Sequence, residues 1–143
     1  MATPATHTHK KEASSAGRYH EAVGRRKTAI ARVRVSAGKG KMTVNGKDVK
    51  AYFTLPRLVA AARAVMDQLQ VGDIDVTVKV AGGGIHAQAE AIRLGIARAI
   101  VGKDAEWKPR LRATGFLTRD SRMVERKKYG KRKARRSPQW AKR

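Results

Sequence analysis

Ile74, Val76, Val78 and Val80 alternate with Asp75, Thr77 and Lys79, and the run ends at three consecutive glycines, Gly82-Gly83-Gly84. A period of two over this length predicts a strand with one face on a core. Beyond the glycines the period changes. Ile85, Ala89, Ile92, Ile96 and Ile100 recur at helical spacing up to Gly102, so residues 85–101 are predicted helix. A half-buried strand that turns through glycine into a core helix requires a sheet layered against helices.

The flanking segments fit that frame. Ala29, Ala31, Val33 and Val35 alternate with Thr28, Ile30, Arg32 and Arg34, giving a strand with an apolar face and a largely cationic one. The loop 37–40 turns the chain into a second strand, Lys41 to Val44, closed by Asn45-Gly46, which suits a tight hairpin turn; a hairpin or meander is expected. Thr54 is placed to cap a helix with an early Pro56, in which Leu58, Ala62, Val65 and Leu69 form the stripe and Gly72 marks the end. A short helix over 105–113 must accommodate Pro109 in its first turn or begin after it.

Two ends of the chain lack any such pattern. Residues 1–18 are small and polar, with too little apolar surface to offset chain entropy, and read as a disordered extension. They contain no signal-peptide core, and the single Arg18 gives organelle import no support. Residues 119–143 hold 12 basic against 2 acidic residues. They form an extended tail of up to about 80 Å, against a radius of gyration of about 13 Å for a domain of this size. The expected division is thus 1–18 extension, 19–118 α+β domain, 119–143 basic tail.

Charge then selects the partner. The 143 residues carry 33 Lys and Arg against 11 Asp and Glu, a formal net charge of +22, which is self-repelling unless a polyanion neutralises it. Nucleic acid is the expected partner. Arg25, Arg26 and Lys27, with Arg32 and Arg34, supply a cationic cluster next to the first predicted strand. In the tail, Arg119, Arg122, Arg126, Lys127, Lys128, Lys131, Arg132, Lys133, Arg135 and Arg136 are interleaved with Tyr129 and followed by Trp140. That mixture combines phosphate neutralisation with planar groups able to stack on unpaired bases.

Catalysis has little to stand on. The chain has no cysteine, which removes thiol nucleophiles, thiolate metal sites and disulfides. Gly24-Arg25-Arg26-Lys27-Thr28 lacks the glycine before lysine that a phosphate-binding loop needs, and leads into a strand instead of a helix. His7, His9, His20 and His86 offer no metal-ligand spacing. Asp67, Asp73, Asp75, Asp104 and Glu106 sit at element ends and form no acid and base pair. The glycine triplet has two readings that both stand: an anion approach at a helix start, or a turn in which a Cβ would clash with the packed helix. No apolar run approaches the roughly 20 residues of a membrane span. No enzyme activity, metal or cofactor is expected.

In order along residues 20 to 143, the blocks Gly24-Arg25-Arg26-Lys27-Thr28-Ala29, Val44-Asn45-Gly46, Tyr52-Phe53, Gly82-Gly83-Gly84, Gln88-Ala89 with Ala91-Ile92-Arg93, Gly95 to Ala99, Gly115 to Asp120, Val124 to Gly130 and Lys133 to Arg136 resemble the bacterial-type family of the ninth small-subunit ribosomal protein. The resemblance implies an α+β fold. In it a small mixed sheet packs on helices, similar to the second domain of the fifth small-subunit ribosomal protein, with a long basic C-terminal tail. It also implies a structural role in the cytoplasmic ribosome, on ribosomal RNA in the small-subunit head beside neighbouring head proteins, with no membrane and no autonomous homo-oligomer. The tail would reach peptidyl-site tRNA through Lys142 and Arg143. Trp140 and Ala141 stand where the family usually has Phe and Ser, keeping a stacking group and losing a hydroxyl; residues 1–19 have no counterpart. The rival reading is a nucleoid protein that coats DNA without sequence preference.

Overall fold

The computed structural model describes residues 19–142; the expectations for residues 1–18 and for Arg143 lie outside the described residues. Strand β1 (His20–Arg26) and strand β2 (Ala29–Ala37) form an antiparallel hairpin, and β3 (Met42–Val44) and β4 (Lys47–Asp48) form a second. A single turn, α1 (Val49–Tyr52), and the helix α2 (Pro56–Leu69) lead to β5 (Ile74–Ala81), followed by α3 (Ile85–Lys103) and α4 (Trp107–Ala113). The strand order is β1-β2-β5-β3-β4, and only the β5–β3 pair is parallel. This is the expected α+β arrangement of a small mixed sheet packed on helices.

The alternating residues of β2 and β5 read from the sequence are the core. Val33, Val35, Ile74, Val76 and Val78 are at most 1% exposed, and they meet Ile92, Ile96 and Ile100 of α3 and Leu58, Val65 and Leu69 of α2 in one cluster. Each fully buried branched side chain contributes about 1.5–3 kcal/mol relative to exposure. Among the described residues the second face of the sheet carries no helix, so the layer is one-sided.

Four local expectations need correction. β1 was not anticipated, because its inward positions are His20, Ala22, Gly24 and Arg26, of which only Ala22 is apolar. The meander is absent: β5 inserts between β2 and β3, so the loop 37–40 crosses the end of β5 and Asp75 Oδ1 accepts from the Lys39 and Lys41 amides, both at 2.9 Å. Thr54 does not cap α2: the N-cap is Leu55, with no side-chain bond, Pro56 takes the first helical position, where its missing amide is tolerated, and the Leu58 amide bonds the Leu55 carbonyl. Finally, α3 continues through Gly102 to Lys103, and Ile85 at its start is half exposed instead of belonging to the core stripe.

Two glycine contacts fix how α3 lies on the sheet. A Cβ on Gly24 would stand 1.8 Å from the Ala91 carbonyl oxygen, and one on Gly95 would stand 2.5 Å from Val33 Cγ2. Strand β1 therefore crosses α3 with backbone against backbone. At the other end, Gly82 (φ 74°) and Gly83 (φ 65°) turn against the tip of the β1–β2 hairpin, where a Gly82 Cβ would lie 2.6 Å from the Thr28 carbonyl oxygen. The clashing neighbour is the hairpin and not, as expected, the helix.

Asn45 ties the second hairpin down. It adopts φ 49° with Gly46 at φ 80°, as a two-residue turn requires. Its side chain bonds the Val80 amide and carbonyl at 2.9 and 3.0 Å.

Candidate nucleic-acid interface

The uncovered face of the sheet is built by the same alternation that builds the core. Cross-strand partners share a face, and the register places Glu21 beside Arg34 and Thr77, Val23 beside Arg32 and Lys79, and Arg25 beside Ile30 and Ala81. The result is three rows: one holds the Glu21 carboxylate beside Arg34 and Thr77, and in the other two cations stand beside the apolar Val23, Ile30 and Ala81. Val23 and Ile30 are 38% and 47% exposed, far more than strand aliphatics facing a core. Tyr19 flanks this face, with the Arg34 guanidinium 4.7 Å from its ring centre. Lys27 stands at the hairpin tip with φ 50°, an uncommon conformation for a residue with a Cβ.

Arg32 and Arg34 both bond Glu21 through Nε, the latter at 3.0 Å. The Arg32 hydrogen bond holds the Glu21 carboxyl below its ordinary range, with desolvation opposing and Arg34 adding to the effect. Arg32 is correspondingly pushed further up, chiefly by the same bond. Because only Nε is engaged, the terminal nitrogens of both forks remain able to donate to phosphate.

Arg26, placed by the sequence with the same cluster, points the other way. It is 9% exposed and faces α3. Its guanidinium meets Glu90 through Nε, Asp120 through Nη2 at 2.9 Å, and the Arg122 carbonyl through Nη1 at 2.8 Å. Each of its three nitrogens has a protein partner.

The tail leaves the domain from this point. Phe116 and Leu117 still pack on the core, and the Arg93 guanidinium covers the Phe116 ring at 5.4 Å. Residues 119–142 contain no helix or strand. Arg119, Arg126, Lys127, Lys131, Arg132, Lys133, Arg135, Arg136 and Lys142 are exposed. Lys128 and Arg135 converge on Glu125 at 2.6 and 2.8 Å, lowering its carboxyl pKa. A bend follows at Gly130 (φ 70°), where the Arg132 amide donates to the Arg136 carbonyl at 2.7 Å. Tyr129 is fully exposed and Trp140 is 80% exposed, so neither ring packs among the described residues.

The structure thus gathers Arg25, Lys27, Arg32 and Arg34 around one face, separates Arg26 from them, and lines the remaining sequence-selected cations along the tail. Sequence reasoning left out Tyr19, Val23 and Lys79 as members of that face. Lys79 was visible as an outward position of β5, but its place beside Arg32 depends on a pairing that only the fold reveals. Among the described residues no group of three His, Asp or Glu side chains could hold a metal ion, and no helix is long and apolar enough to cross a membrane.

Residues 24–143 match the family model described as ribosomal protein S9/S16. The chain belongs to the ribosomal protein S9/S16 family. It is a ribosomal protein and not an enzyme. Relatives named small ribosomal subunit protein uS9 include one from Cytophaga hutchinsonii, 54% identical over 123 residues, covering 85% of this chain and 96% of that protein. One from Thermus thermophilus is 52% identical over 121 residues, covering 84% and 94%. The family match begins at Gly24, the glycine that lets β1 lie against α3, and runs through the whole tail.

Proposed function

We propose that this chain is a structural constituent of the small ribosomal subunit in the cytoplasm, where the domain docks on ribosomal RNA of the subunit head and the tail threads between RNA helices toward peptidyl-site tRNA. The observation that carries this reading is the tail: a cation-rich stretch without helix or strand over 119–142, whose two aromatic rings stand exposed among the described residues. Arg25, Lys27, Arg32 and Arg34 contact rRNA phosphates from the sheet face. Arg119, Arg122, Arg126, Lys127, Lys128, Lys131, Arg132, Lys133, Arg135 and Arg136 do so along the tail, and Tyr129 stacks on a base. Lys142 and Arg143 contact the tRNA, and neighbouring head proteins complete the surroundings. The names of the relatives and the order of the matched blocks support the subunit assignment.

Positioning here is electrostatic and steric. Phosphate contacts fix where the protein sits, and its specificity comes from RNA shape and unpaired bases. Small subunits reconstituted with the full chain, or with a chain lacking Arg143, test the tRNA part. rRNA binding stays nearly intact, while tRNA retention in the peptidyl site falls about tenfold, the effect of losing a charge-assisted hydrogen bond, reduced where salt screens it. Equal retention removes the tRNA contact and leaves the rRNA role. Failure of the full chain to co-sediment with small subunits removes both.

A further inference from the structure

Arg26 is the most enclosed charged side chain of the described residues, and what encloses it is the root of the tail. Its three partners come from two distant segments: Glu90 on α3, and Asp120 and the Arg122 carbonyl at the start of the tail. A guanidinium removed from water requires partners for its donors, and a planar fork can hold a carboxylate and a carbonyl in fixed directions at once. Asp120 is locked from its other side as well, accepting from the Arg122 amide at 2.9 Å and from Arg122 Nη2 at 2.7 Å. The tail root therefore closes on the one buried cation of β1, and among the described residues no ion pair or side-chain hydrogen bond to the domain follows beyond Arg122.

We infer that Arg26 is a positioning residue for the tail, clamping residues 120–122 against β1 and α3 so that the RNA-binding arm leaves the domain in one direction. This rests on the reading of the tail as that arm. Without the clamp the tether begins at Leu117, where packing on the core ends, and its tip samples a wide volume. With it, the 20 residues from Met123 to Lys142 start from a fixed point and heading, which raises the effective concentration of the tip at its target. Arg26 acts through protein contacts and touches no RNA.

The chain has no native cysteine, so spin labels can be placed uniquely through Lys103→Cys at the end of α3 and Val124→Cys just beyond the clamp, both exposed. In the free full-length protein the distance between the labels is narrowly distributed. Asp120→Asn keeps the size of the side chain and lies outside the core, and it broadens that distribution about twofold; Arg26→Gln does the same or more. Arg122→Ala takes the Arg122 side chain off Asp120 but keeps the Arg26 bonds to the Asp120 carboxylate and to the backbone carbonyl of residue 122, and it broadens the distribution less than Asp120→Asn or Arg26→Gln, an order that general loss of surface charge would not give. Asp120→Asn still unfolds in one cooperative transition, with its melting temperature lowered by no more than about 5 °C, showing that the domain has not simply loosened. An unchanged distribution in both Asp120→Asn and Arg26→Gln overturns the clamp, as does a distribution equally broad in the parent. A parallel assay on reconstituted subunits expects Asp120→Asn to lower peptidyl-site tRNA retention several-fold. Broadening without that loss keeps the clamp and rejects the tRNA contact.

Discussion

The domain and the tail are held in shape by different physics, although one chain carries both. Residues 19–118 bury valine and isoleucine from β2, β5 and α3 to a few per cent exposure or less, so their shape follows from the apolar effect. Residues 119–142 bury almost nothing, and their internal contacts are ion pairs on Glu125 and Asp120 and a bend at Gly130. The difference teaches where each region finds its partner. The domain supplies its own core, whereas the tail has cations and rings that remain unfilled until a polyanion is present. Between the two lies Arg26, a charge treated like a core residue.

Salt separates the two most strongly. With about six phosphates neutralised, affinity of the full chain for rRNA falls about a thousandfold between 50 and 200 mM salt, while domain stability changes little over that range. A flat salt response would remove the electrostatic role of the tail. In the reverse direction, Ile96→Ala empties a fully buried site between α3 and the sheet and lowers unfolding free energy by about 2–5 kcal/mol. The salt slope of folded protein should not move; a changed slope would mean that core and tail are coupled.

Gly24→Ala drives a methyl into the Ala91 carbonyl and costs about 1–3 kcal/mol, read as a lower denaturation midpoint. Equal midpoints would show that β1 does not lie against α3 as described.

How much of this was legible in the sequence follows from the same contrast. β5 and α3 were legible because each buries a full apolar row, and α2 because Leu58, Ala62, Val65 and Leu69 all face the core. β1 was hidden, since a strand that crosses a helix at a glycine and turns an arginine inward breaks the binary pattern at the positions that carry it. The strand order was hidden for another reason: pairing β5 between β2 and β3 is a long-range choice that no local period encodes. Within the candidate site, the tail cations and Arg32 and Arg34 were readable from charge and alternation. The inward turn of Arg26 was not, because its partners lie 64 and 96 residues away.

Smaller effects concern single charges. Arg32→Gln removes one phosphate contact and shallows the rRNA salt slope by about 0.7–0.9, with a uniform loss of affinity across RNA sequences; an unchanged slope would exclude the sheet face from the interface. Acidity should matter least. The side-chain and backbone hydrogen bonds of Arg122, with Arg26 adding its charge, hold the Asp120 carboxyl well below its ordinary value of 3.8. The contribution of a carboxylate depressed on folding is complete above that ordinary value and is lost only as pH falls through the depressed one. Glu90, Arg25 and Arg93 line the same hollow. The label distance defined by Lys103→Cys and Val124→Cys therefore stays narrow from pH 7 down to pH 4. Broadening already at pH 5 would mean that Asp120 is not paired as described.

Hydrogen exchange of the full-length protein with and without rRNA reads both regions at once. Amides of β2, β5 and α3 should be protected in either state, those of residues 123–142 should exchange freely alone and become protected when rRNA is added, and residues 120–122 should fall between the two. Strong protection along 123–142 in the absence of RNA would mean that the tail has a fold of its own, and the division between a self-supporting domain and an RNA-dependent arm would be wrong.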